Sequence, residues 1–243
     1  MCLLAITGSS KLKHNLVGIG SKRIRLIKGF YSAAAMATAD IYQISWVTSD
    51  DFDPDKISLQ ATSAAAGDTN ERHKIMYQYT PNGPKKDLVI TVPRNPDAYV
   101  TCRGVQKDFF SRGDQKIETN RYGAQFVLDG SNEYHIALYS TFEKVIAKVQ
   151  ELTGANAVFP AKDMDTYSIL YTNLIHANDG RMFSSAYTAD EQLDILNCKQ
   201  SIVRPALLLS ILKRSGSEVK IKVQVSQMYV YKEVMNFPLA YRD

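Results

Sequence analysis

One stretch of helical period sits in a chain that otherwise reads with a period of two, and this contrast limits the fold more than any other feature. Ile136, Tyr139, Phe142, Val145, Ile146, Val149 and Leu152 recur at three- and four-residue steps. That is the stripe of an amphipathic helix of about five turns. Ser131 or Asn132 can accept from the free N–H groups of its first turn, and Gly154 can take the left-handed conformation that ends it. Glu143, Lys144, Lys148, Gln150 and Glu151 fall off the stripe.

Strand-like segments flank this helix. Residues 41–47 are β-branched and aromatic, 50–55 form an acidic loop, and 73–80 alternate up to the turn cluster Pro81-Asn82-Gly83-Pro84. Further strands are expected at 88–92, 99–105 and 124–128. After the helix, 167–175 and 181–187 read as a hairpin around Asn178-Asp179-Gly180. Residues 201–212 and 219–231 read as a second hairpin around Ser215-Gly216-Ser217. In the last strand Val219, Ile221, Val223 and Val225 share one face, while Lys220, Lys222, Gln224 and Ser226 share the other. The first face belongs to a core and the second to water or a ligand. Pro205, inside a run, suggests a strand start, an edge or a bulge. The expected fold is mainly β with one long helix: an OB-fold-like barrel with additional strands, the helix lying between the third strand and the later ones.

Composition sets the outer bounds. At 243 residues, 45% hydrophobic and 22% charged, the chain is ordinary globular material for one large domain or two small ones. Charge is uneven. Residues 1–35 carry six Lys/Arg and no acid, which leaves 23 basic against 25 acidic residues elsewhere. The net charge of +4 therefore argues nothing about nucleic acid for the body of the protein. The basic extension, 1–35, reads as dispensable with translation beginning at Met36, as a basic arm, or as an organellar-type leader. Residues 36–243 are expected to form the folded domain. Three scattered cysteines argue against a zinc ribbon and a disulfide scaffold and suit a reducing compartment. No apolar run of about 18 residues is present, so no membrane partner is expected.

Catalytic signatures are missing from the sequence: no phosphate-binding loop, dinucleotide-binding glycine pattern, serine elbow or paired-histidine zinc motif occurs. Asp51-x-Asp53-x-Asp55 imitates a calcium loop, but Lys56 and Thr62 stand where glycine and glutamate are needed. His14, His73, His135 and His176 are scattered, His176 beside a turn and read as exposed. Asp163-x-Asp165 reads as solvated, and Cys102 as a buried, inert thiol. No enzyme activity, cofactor or metal is expected.

Aromatic and basic residues on strands remain. Arg103, Lys107, Phe109, Phe110 and Arg112 form one cluster. Tyr167, Tyr171, Arg181, Phe183 and Tyr187 form a second, and Arg204, Lys213, Arg214, Lys220 and Lys222 a third. Single-stranded nucleic acid asks for this mixture, because each base can stack on a ring for about 1–3 kcal/mol while cations follow the phosphates. The alternative is that the rings are core or cross-strand pairs.

The order of motifs from 166 to 231 carries a resemblance. TYSILYTNLI is followed by NDGRMF, QLDIL, SIVRPALLLSIL and EVKIKVQVSQMYVY. The matching positions are Ser168-Ile169-Leu170-Tyr171, Phe183, Leu207-Leu208-Leu209 and Lys220-Ile221-Lys222-Val223-Gln224-Val225. This quarter of the chain resembles the single-stranded-DNA-binding proteins of large double-stranded DNA viruses, which are similar to the OB-fold proteins of short-tailed phages. The resemblance implies sequence-independent binding and protection of single-stranded DNA during viral DNA replication and recombination, inside the cell at the viral replication site in host nucleus or cytoplasm. It implies stacking by Tyr167, Tyr171, Phe183 and Tyr187, and phosphate contacts from Arg103, Lys107, Arg181, Lys220 and Lys222. Single-stranded DNA is the expected partner, with replication proteins and a second copy of the chain as further candidates. The phage proteins end in a long acidic tail; here 232–243 hold two acids against two bases, so recruitment through such a tail is not expected. The rival reading is a virion structural or scaffold protein with a β-sandwich domain.

Overall fold

The computed structural model describes residues 45–62, 71–112, 115–177, 179–213 and 217–234. The basic extension at 1–35 lies outside them, as do 41–44 of the first expected strand. Strand β1 (Val47–Thr48) leads through a 3-10 turn at Pro54–Lys56 to β2 (Ile57–Thr62) and β3 (Glu71–Tyr77). Short β4 (Lys86–Asp87) and β5 (Val89–Thr91) precede the long β6 (Val100–Arg112) and β7 (Gln115–Asp129). Helix α1 (Glu133–Thr153) is followed by β8 (Asn156–Val158), β9 (Ala161–Asp163), β10 (Tyr167–Leu174), β11 (Ser185–Tyr187) and β12 (Gln192–Leu193). The chain then forms β13 (Ser201–Lys213) and β14 (Glu218–Glu233).

Five strands close on themselves. β6 pairs β7, β7 pairs β10, β10 pairs β14, β14 pairs β13, and β13 returns to β6. All five pairings are antiparallel except β10–β14. In chain order the ring runs one, two, three, five, four, so the domain is an OB-fold-like barrel with additional strands, mainly β with one long helix. Two expectations need correcting. The helix lies between the second and third barrel strands, not after the third. The segments at 167–174 and 185–187 do not form a ladder: β11 pairs in parallel with β14, and only an isolated bridge, His176 to Met182, spans the turn. Both sides of β10 are already occupied, one by β7 and the other by β9 and β14.

Local chemistry explains the elements. Val219, Ile221, Val223 and Val225 are all buried, so β14 keeps the alternation expected of it. Pro205 lies on β13 between the residues that pair β6 (201–203) and those that pair β5 (206–208). The residue without an N–H thus falls where the strand changes neighbour. Asn132 caps α1 by accepting from the N–H groups of Tyr134 and His135, and Gly154 ends it at φ 65°. The buried stripe is turned from the one expected. His135, Leu138 and Thr141 join Phe142, Val145 and Val149 inside, while Ile136 and Leu152 are exposed. Phe142 meets Phe159 with ring centroids 4.8 Å apart, joining the helix to the core of Ile75, Phe126, Leu170, Leu207 and Ile221.

Candidate nucleic-acid interface

The outward face of β14 has a defined set of neighbours. Register places Gly123 and Gln125 of β7 opposite Asn173 and Tyr171 of β10. β10 in turn lies beside β14 at Gln224 and Val225. At the far end of β13, β3 pairs Arg72 with Leu212 and Lys74 with Ser210. These strands and part of β6 enclose a cleft of about 820 Å³. Its lining includes the second and third barrel strands, which in OB folds form the face that takes up oligonucleotides and oligosaccharides, together with β3, β6, β13 and β14.

The lining is strongly one-signed. Arg72, Lys74, Lys107, Arg121, Lys220 and Lys222 line the cleft against the single carboxylate of Asp108, with His73 and His176 beside them. Lys74 also reaches Asp87 at 3.0 Å. Among the described residues no carboxylate pairs with Arg121, Lys220 or Lys222. Lys222 is half-buried, and its ammonium is held below its ordinary pKa by burial first and then by the charges of Arg121 and Arg72. A half-buried ammonium facing two guanidinium groups, in a lining with one carboxylate, is complementary to an anion. The acidic loop does not oppose this field. Asp55 faces Lys148 of the helix at 3.4 Å, Asp53 caps the turn at Pro54–Lys56, and neither they nor Asp50 and Asp51 line the cleft.

The cleft gathers four of the nine expected contact residues: Lys107, Tyr171, Lys220 and Lys222. Tyr171 is 40% exposed and is the one Phe, Tyr or Trp in the lining among the described residues. The other five stand elsewhere. Tyr167 and Tyr187 are each only 6% exposed; Tyr167 packs with Val127 and Ile169, and neither ring offers a face to a base. Phe183 is exposed but outside the cleft. Arg181 pairs with Asp179 at 2.7 Å on the turn. Arg103 is half-buried and not in the lining, its guanidinium donating to Gln125 at 3.5 Å. Of the other clustered residues, Arg204 lies away from the cleft, and the side chains of Phe109, Phe110, Arg112, Lys213 and Arg214 are outside the described set. His176, read as exposed, lies in the lining. Sequence reasoning missed Arg72, Lys74 and Arg121, which reach the cleft through strand pairings that no local pattern announces.

Comparison with solved structures finds similar chains at low identity. The single-stranded DNA-binding protein of bacteriophage Enc34, C-terminally truncated, aligns over 74% of this chain and 98% of its own at 10% identity and a TM-score of 0.41. The same phage protein in complex with single-stranded DNA aligns over 74% and 99% at 8% identity and 0.41. The gp2.5 single-stranded DNA-binding protein of bacteriophage T7 aligns over 60% and 97% at 7% identity and 0.38. No protein-family model matches the chain, and no curated protein matches it in sequence.

The remaining polar candidates have structural partners. Asp163 accepts hydrogen bonds from Tyr139 and Ser168. Cys102 is fully buried, and burial pushes its thiol up to about 12, which makes it a poor nucleophile at neutral pH. Among the described residues no three His, Cys, Asp or Glu side chains converge as a metal would require.

Proposed function

We propose that the cleft binds single-stranded DNA without regard to sequence. The observation that carries this reading is its lining: six Lys/Arg from β3, β6, β7 and β14 and one carboxylate, with Tyr171 of β10 among them. Cations take the phosphates, and a ring accepts any base, since every base has a π face. Protection follows from occupancy: a protein that binds the open strand alone shifts the strand away from hairpins and out of reach of nucleases by mass action. The resemblance in the last quarter of the chain supports a place for this activity in replication and recombination of a large double-stranded DNA virus, at its replication site in the host cell. No element of this mechanism calls for a cofactor or a bond-breaking step.

Fluorescence anisotropy of labelled oligo-dT across a salt series tests the proposal. Each phosphate neutralised adds about 0.7 to the log–log salt slope for a single strand, so full use of the six cations gives a slope near −4. Absence of binding at about 50 mM salt, where such contacts are strong, overturns it.

A further inference from the structure

A second group of rings and cations stands on the outward side of the same β13–β14 ribbon, away from the cleft. Arg204 of β13 is paired with Tyr229 of β14. Its guanidinium lies 5.3 Å from the centre of the Trp46 ring, and its Nε donates to the Val92 carbonyl at 2.9 Å. Tyr99 packs edge-on against Tyr229 and Tyr231, with ring centroids 6.3 and 5.7 Å apart. Tyr231 is still 49% exposed. Arg204 is half-buried and held below its ordinary pKa by burial, with the charge of Arg94 adding to the effect. Among the described residues no carboxylate pairs with either guanidinium.

The backbone is shaped to show these rings. Along β14 the outward positions are Lys220, Lys222 and Gln224. Strict alternation would then turn Tyr229 and Tyr231 inward. Ser226 is an extra residue between the pairs Leu207–Val225 and Ala206–Gln227, and beyond it Met228 and Val230 are buried while Tyr229 and Tyr231 face out. Tyr231 is itself the extra residue of a second bulge, between Val203–Val230 and Ile202–Lys232. Bulges re-aim side chains in this way. The cleft cations and the tyrosines thus occupy the outward positions of one strand. The nine steps from Lys222 to Tyr231 span roughly 30 Å.

We propose that Tyr231 and the Trp46–Arg204 pair form a second subsite for the same nucleic-acid strand, which the ribbon holds at its far end after it leaves the cleft. Bases stack on Tyr231, and Arg204 and Arg94 take phosphates. Two guanidinium groups without a counter-charge select a polyanion over an apolar partner. The inference rests on the cleft being the primary site.

Trp46 is the chain's single tryptophan, so its emission reports on this surface while anisotropy of labelled DNA reports binding anywhere. The full chain is titrated with oligo-dT of about 16 and of about 4 nucleotides, the two ends of the site-size range of one OB fold. The long oligomer is expected to quench Trp46, and the short one to bind without quenching it. Tyr231→Ala should weaken the long oligomer roughly fivefold or more and leave the short one unchanged. The proposal is overturned if the long oligomer saturates with Trp46 emission unaltered, or if Tyr231→Ala and Arg204→Gln both bind it as the wild type does. The cleft is read separately: Lys222→Glu must weaken both oligomers, so a failure there is told apart from a failure at the rings. If Trp46 responds to no DNA but to another protein, the subsite belongs to that partner and the proposal falls.

Discussion

Gly123 passes so close to Thr172 that a Cβ at position 123 would stand 2.6 Å from the Thr172 carbonyl oxygen. The two residues lie on β7 and β10 beneath the cleft, and the nearest atom is backbone, so no side chain can swing away. Gly123→Ala must push the strands apart at the cleft floor. Overpacking of this kind costs about 1–3 kcal/mol, or a Tm lower by roughly 3–10 °C in a domain of this size. Circular-dichroism melting checks it; an unchanged Tm would mean that the β7–β10 contact is looser than described.

Lys222 is predicted to trade stability for binding. Its ammonium is disfavoured in the folded state by burial and by Arg121 and Arg72. Because the folded-state pKa is lowered below 10.5, the cost is fully present at neutral pH, where folded and unfolded chains are both charged. It disappears only as pH rises through the lowered value to that of the unfolded chain. Lys222→Gln should therefore raise the Tm of the DNA-free protein, by roughly 1–4 °C if it resembles other relieved charge clusters. The same variant should weaken DNA binding and reduce the salt slope by about 0.7. A variant that loses stability and keeps its slope would remove Lys222 from the phosphate contacts.

His135 gives the fold a pH dependence of its own. The buried ring accepts from the Asp129 N–H at 2.9 Å through Nδ1, and Nε2 lies 3.2 Å from the Tyr99 carbonyl, so the neutral ring with its proton on Nε2 satisfies both. Burial lowers its pKa below 6.5. The unfolded chain takes up a proton as pH falls through 6.5 and the folded chain does not, so the stabilisation is present above that pH and is lost on acidification. The expected loss approaches about 1.4 kcal/mol per pH unit within the window. Melts between pH 7 and 5 should show a slope that is absent in His135→Gln, even though that variant is less stable throughout.

These contacts differ in how far the sequence announces them. The β13–β14 ribbon was legible because Val219, Ile221, Val223 and Val225 write the pleat directly, and Lys220 and Lys222 then had to face outward. The helix boundaries were legible because Asn132 and Gly154 are local devices. Asp179-Gly180 was misleading: it does turn the chain, but the Ser184 hydroxyl accepts from Ile175 N–H and donates to the Val225 carbonyl. That bond helps dock the returning segment on β14, away from a hairpin with β10. Arg72 reaches the cleft because β3 pairs with β13, setting residue 72 opposite 212. A pairing across so much chain is decided by tertiary packing, and neither residue carries a mark of it.

The tyrosines provide the sharpest separation between binding and folding. Three of the expected stacking residues are tyrosines of similar local sequence, yet Tyr171 is 40% exposed over the cleft while Tyr167 and Tyr187 are at 6%. On β10 the difference between Tyr167 and Tyr171 is not one of face by simple alternation, since both are odd-numbered positions; Tyr167 is covered by its own small cluster with Val127, Ile169 and Met164. Tyr171→Ala should therefore weaken oligo-dT binding between about fivefold and a hundredfold, the value of one stacked base, with Tm nearly unchanged. Tyr171→Phe should keep most of the affinity, because the ring and not the hydroxyl meets the base. Tyr187→Ala should do the reverse: about 3 kcal/mol or more of stability is lost with a buried ring, while affinity measured well below the melting transition stays at the wild-type value. Anisotropy and melting curves on the three variants decide the matter. If Tyr171→Ala binds as tightly as the wild type, the strand is held in the cleft by its cations alone, and stacking there has no part in recognition.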